Sequence, residues 1–140
     1  AQVISVNLPQ KSRILVKDIE SIKITAKRIL FKTKSFQNPN SWNNDFCSLS
    51  AELVDYLAKQ GVILVGIDTP SIDLSDDKVL ESHTQIYKNN MAILEGIILD
   101  QVSDGNYFLI SLPLKIQSAD ASPVRAILLD SQYNFSAEAT

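Results

Sequence analysis

The stretch Val62-Ile63-Leu64-Val65-Gly66-Ile67 is apolar throughout and runs straight into the polar segment Asp68-Thr69-Pro70-Ser71. A short, uninterrupted apolar run bounded by glycine and turn residues is the pattern of a strand buried on both faces. Val62–Val65 is accordingly read as such a strand. The segment before it is helical by pattern. Ser50 opens it as an N-cap, Glu52 falls in the first turn, and Leu53, Val54, Leu57 and Ala58 recur at helical spacing. Gly61 stops it after Lys59. A capped helix that leads into a fully buried strand confines the chain to the α/β class, a mixed sheet packed with helices.

The 140 residues fit one domain, which buries roughly two-thirds of its unfolded surface on folding. Its bounds are read as 1–130, with 131–140 a small, polar, disordered tail. The net charge is −3. Lys23, Lys27, Arg28, Lys32 and Lys34 form the densest basic group. Without interleaved aromatics or a glycine loop it reads as a solvated face, and no nucleic acid is expected. Cys47 is the sole cysteine, which excludes an internal disulfide and a Cys-based zinc site and leaves a buried thiol. No apolar run reaches the length of a membrane span and no signal-peptide pattern opens the chain, so no membrane association and a cytoplasmic location are expected. The chain starts Ala1-Gln2-Val3-Ile4, already apolar and without methionine, and reads as the interior of something longer.

Further strands are expected over 1–6, 28–32, 91–94, 107–112 and 124–129. Asp18 is placed to cap a single helical turn, and the Asn-rich segment 35–45, which carries Trp42, reads as a loop. A second helix is expected over 78–89, capped by Asp76 or Asp77. Val79, Leu80, His83, Ile86 and Tyr87 would then share one side, with His83 pointing inward.

His83 is the only histidine, and Glu95 stands among apolar neighbours in Ala92-Ile93-Leu94-Glu95-Gly96-Ile97. A carboxylate buried without a partner costs several kcal/mol, so a cation or a proton must compensate it. The two residues lie on consecutive elements and can converge, either as a hydrogen-bonded pair or as ligands of a shared zinc-like or manganese-like ion. Asp68 and Ser71 follow the buried strand, where sites in α/β proteins gather. They are candidates for lining the substrate or supporting the site, whereas Asp73 reads as a turn residue. A triad of Ser71, His83 and Asp68 lacks the nucleophile elbow it would need. Arg125 is expected to pin its loop through an ion pair with Asp68 or Asp120.

In this order, Gly61-Val62-Ile63-Leu64-Val65-Gly66-Ile67-Asp68-Thr69-Pro70-Ser71-Ile72-Asp73, His83, Ile93-Leu94-Glu95-Gly96, Leu112-Pro113-Leu114 and Asp120-Ala121-Ser122-Pro123-Val124-Arg125-Ala126 resemble the bacterial kynurenine formamidase, or cyclase, family. Arg28-Ile29-Leu30-Phe31-Lys32-Thr33 and Leu49-Ser50-Ala51-Glu52 resemble its earlier landmarks, so that the likeness runs from Ala1 to Leu129. The resemblance implies a swivelling β/β/α fold and a metal-dependent hydrolase of N-formyl-kynurenine in tryptophan degradation. It implies a divalent metal, zinc or else manganese, with His83 and Glu95 as ligands, and a homo-oligomer. An isatin hydrolase-like cyclic-amide hydrolase and a catalytically inactive binding domain are the alternatives. The family's upstream His-x-x-x-His-x-Asp motif, where its catalytic residues are expected, does not occur in these 140 residues. The chain is therefore expected to be the C-terminal two-thirds of the enzyme and inactive by itself.

Overall fold

The structure is a computed structural model and describes residues 1–130; the tail expected over 131–140 lies outside the described residues. Six strands form the main sheet in the order β6-β5-β3-β1-β7-β8. They are β1 (Gln2–Ser5), β3 (Arg28–Lys32), β5 (Leu64–Ile67), β6 (Ala92–Leu94), β7 (Gly105–Ile110) and β8 (Ile127–Asp130). β1, β3, β5 and β6 run parallel, and β7 and β8 close the sheet antiparallel. The expected mixed sheet is therefore present. A small parallel pair, β2 (Arg13–Ile14) with β4 (Ser48–Leu49), sits apart from it. A 3-10 turn covers Val16–Asp18, and the Asp18 carboxylate accepts from the Leu15 N–H.

Helix α1 (Ala51–Lys59) begins where the sequence places it, with Ser50 Oγ accepting from the Leu53 N–H at 3.1 Å. Leu53, Val54 and Leu57 are fully buried along one stripe, and Gly61 ends the element at φ +80°. Helix α2 (Glu81–Lys88) packs beside α1. Together they cover one face of the sheet through a core containing Ile4, Ile29, Phe31, Val65, Ile67 and Ile86.

Two-residue alternation puts the next positions on the opposite face, where Val3, Leu30 and Leu94 are buried with Leu99. Gly66 belongs to this face, and any Cβ there would stand 2.5 Å from Leu30 Cδ2. No helix covers this side among the described residues. It opens as a groove of about 1520 Å³ whose floor includes Leu30, Leu64, Leu109 and Leu128. No helix among the described residues is long and apolar enough to cross a membrane.

Several expectations need correction. The strand read at Val62–Val65 lies two residues later, at Leu64–Ile67, and Ile63 is 45% exposed. Val62 still packs inside, but its N–H caps α1 by donating to Leu57 O. Lys32 does not lie on a solvated face: it is buried and its ammonium donates to Val102 O. The second helix starts three residues later than expected. Val79 and Tyr87 are 77% and 86% exposed, so the apolar side drawn through His83 is not the buried one; Ser82 and Ile86 face inward instead. Cys47 is buried as expected, its thiol donating to Pro9 O.

Candidate metal centre

The N-terminus of α2 determines where His83 points. Its N-cap, Leu80, has no capping side chain and sits in the left-handed region at φ 53°. The first turn of a helix leaves backbone N–H groups that need acceptors. Asp77 serves the approach, with Oδ1 accepting from the N–H groups of Val79 and Leu80. The helix itself is served by Asp73. Oδ1 accepts from Ser82 N–H at 3.0 Å and Oδ2 from His83 N–H at 3.0 Å. Neither Asp76 nor Asp77 is thus the cap; a carboxylate eight residues before the helix performs that role.

Asp73 is fully buried and has two further partners. Arg13 Nη1 stands 3.1 Å from Oδ1, and His83 Nδ1 stands 2.8 Å from Oδ2. Burial pushes this carboxyl up, but the bonds from the His83 ring, the His83 and Ser82 N–H groups and Arg13 outweigh it and bring its pKa down to about 2. Arg13 also pairs with Asp77 and with Glu81, the latter at 3.0 Å, and donates to Leu49 O at 2.8 Å. One guanidinium from β2 therefore fixes the loop before α2 and the first turn of α2.

The far side of the ring faces Glu95. His83 Nε2 lies 3.4 Å from Glu95 Oε1, with both side chains about one-third exposed. The same Oε1 accepts from Ile72 N–H at 2.8 Å, which fixes the carboxylate at the end of β6. The expected convergence of His83 and Glu95 is thus present, but Glu95 is not a charge buried in apolar surroundings. Both residues line the open groove. No third His, Cys, Asp or Glu joins them as a metal-binding cluster among the described residues.

The other expected site residues fall elsewhere. Asp68 ties β5 to the end of β3, accepting from Thr33 N–H, Thr33 Oγ1 and Lys34 N–H. It borders a small cavity of about 50 Å³ beside Phe36, which adjoins the groove through Gly96, Ile97, Ile98 and Leu99; Asp68 does not line the groove itself. Ser71 Oγ accepts from Asp73 N–H at 3.1 Å, so Ser71 shapes the turn that presents Asp73. The paper triad is absent, because the carboxylate on the ring is Asp73, not Asp68. Arg125 is exposed on the groove, and among the described residues it forms no ion pair with Asp68 or Asp120. Asp68 is held by Thr33 and Lys34 beside the small cavity, away from the groove that Arg125 lines.

Two residues that build this arrangement are not read from the sequence as part of it. Asp73 reads as a turn residue, and Arg13 carries no motif. The signal for Asp73 was indirect: Leu80-Glu81-Ser82-His83 opens a helix with no local cap, so its N–H groups require an acceptor from elsewhere.

The sheet and the site define an α/β protein with an imidazole and a carboxylate facing one another across an open groove. Residues 2–74 match the putative cyclase family, and the chain belongs to it. His83 and Glu95 lie beyond the matched residues. Among solved structures, the chain is similar to a potential metal-dependent hydrolase with cyclase activity, at 27% identity and a TM-score of 0.81 over 91% of this chain. A predicted metal-dependent hydrolase from Bacillus stearothermophilus matches at 27% identity and a TM-score of 0.81, again over 91% of this chain. An isatin hydrolase bound to the product analogue thioisatinate, 18% identical with a TM-score of 0.69 over 90% of this chain, shares the fold. This chain spans 63%, 62% and 58% of the length of those three chains.

Proposed function

We propose that His83 and Glu95 are two ligands of a divalent metal in a metal-dependent amide hydrolase. The observation that carries this reading is the approach of Nε2 to Oε1 at 3.4 Å, while the other ring nitrogen is engaged by Asp73. A shared ion with ligand distances of about 2 Å each calls for tips roughly 3–4 Å apart, so the donor pair fits. Imidazole with carboxylate suits zinc, with manganese next. Such sites use three or four protein ligands, so this pair is part of a set. A divalent ion bound there supplies Lewis-acid polarisation of a carbonyl and activation of water.

The residues of this chain hold and orient. Ile72 N–H fixes the Glu95 carboxylate and α2 carries the ring. The floor of Leu30, Leu64, Leu109 and Leu128 offers an apolar surface to an aromatic amide. We take the substrate to be an aryl formamide, N-formyl-kynurenine, a reading supported by the ordered motifs of the sequence; the similar structures named metal-dependent hydrolases support the hydrolase class alone. Exposed Leu112, Leu114 and Ile98 beside the groove support self-association of the protein.

The test is metal content and turnover of the full-length protein charged with zinc or manganese, assayed on N-formyl-kynurenine and on isatin. Glu95→Gln keeps the shape and removes the anionic ligand. It should lose metal and activity while staying folded, and the wild type should prefer the formamide. Wild-type metal stoichiometry in folded Glu95→Gln would defeat the assignment.

A further inference from the structure

We infer that Asp73, held in turn by Arg13, is the positioning residue of this site: it keeps the His83 proton on Nδ1 and so leaves the Nε2 lone pair facing Glu95. The inference about the proton stands on geometry alone; its consequence for a metal rests on the function proposed above.

A neutral imidazole has one N–H to give, and two carboxylates compete for it. The Asp73 side takes it. Nδ1 and Oδ2 are 2.8 Å apart in a hydrogen bond, whereas Nε2 and Glu95 Oε1 are 3.4 Å apart, outside good bonding range. The other partners of Asp73 leave no ambiguity about its role. Arg13 Nη1 and Ser82 N–H donate to Oδ1, and His83 N–H donates to Oδ2. With donors on both oxygens, this carboxylate acts as acceptor at every contact, and the ring nitrogen it meets must be the protonated one. The backbone N–H and the ring Nδ1 of one residue meet the same oxygen, which fixes the ring's rotation as well as its proton.

Arg13 makes the arrangement rigid. Its guanidinium spans Asp73, Asp77, Glu81 and Leu49 O, so the carboxylate cannot swing away from the ring without breaking its contacts to β2 and α2. A carboxylate behind a ligating histidine orients the ring and raises its basicity, and losing it typically costs 10–100-fold in metal affinity.

His83 is the only histidine of these 140 residues, so a long-range ¹H–¹⁵N spectrum of the histidine-labelled 140-residue chain contains one imidazole. The spectrum is recorded without metal, at a pH where the ring has finished titrating. The expected wild-type result is protonated Nδ1 and unprotonated Nε2; a ring protonated on Nε2 overturns the inference whatever any variant does. Asp73→Ala removes the acceptor from Nδ1 altogether, and the proton should then move to Nε2, on the side of Glu95 Oε1. Zn²⁺ affinity should fall about 10–100-fold. A folded Asp73→Ala protein that retains the Nδ1–H form also overturns the inference. If the wild-type tautomer is as expected but Zn²⁺ leaves Nε2 unperturbed, the metal reading fails and the positioning role stands.

Discussion

Asp73 should control the acid limb of this protein's stability. Its pKa is 3.8 in the unfolded reference and about 2 in the folded protein. At about 1.36 kcal/mol per tenfold change in proton affinity, that gap corresponds to about 2 kcal/mol. A carboxyl whose folded pKa is depressed takes up its proton first in the unfolded chain. The contribution is therefore complete above about pH 4 and lost as the pH falls toward about 2. Asp73→Asn removes the titration and leaves the other carboxylates in place. The variant should be less stable at neutral pH, because four donors lose an anionic acceptor. Its deficit relative to wild type should then shrink by about 2 kcal/mol between about pH 6 and about pH 2. Urea titrations followed by far-ultraviolet circular dichroism across that range measure the gap. A deficit that stays constant or grows on acidification would refute the claim that the His83, Ser82 and Arg13 bonds stabilise the Asp73 anion.

Two further substitutions test the scaffold. Leu57 is fully buried between α1 and the sheet, and Leu57→Ala should cost about 2–5 kcal/mol in a denaturant titration; a cost below about 1 kcal/mol would contradict tight packing there. Gly66→Ala brings a methyl 2.5 Å from Leu30 Cδ2 and 3.3 Å from the Leu94 carbonyl oxygen, and should cost about 1–3 kcal/mol by the same measurement.

What was legible in the sequence was what local chemistry determines. Ser50, the Leu53–Leu57 stripe and Gly61 define α1 within a dozen residues, and structure and reading agree there. The apolar run at 62–67 fixed a buried strand, but not its bounds. Val62 answers to the helix before it and Ile63 lies exposed, a tertiary matter that the run cannot show. The start of α2 was misread for a related reason. Asp76 and Asp77 look like caps because they are nearby, yet the N–H groups of Ser82 and His83 go to Asp73, which arrives through the turn shaped by Ser71. That misreading rotated the helix and turned His83 toward the core when it stands at the groove. The His83–Glu95 convergence was legible because it needs only two consecutive elements. Arg13 was not, since it lies 60 positions from Asp73 and its role exists only once β2 is in place.

Titrating Zn²⁺ into the wild type and Glu95→Gln while observing the His83 imidazole tests most directly whether His83 and Glu95 share a metal. A shared metal predicts a saturable change at Nε2, not at Nδ1, in the wild type, and binding weakened about tenfold or more in the folded variant. A change centred on Nδ1, or the same binding curve for both proteins, would contradict it.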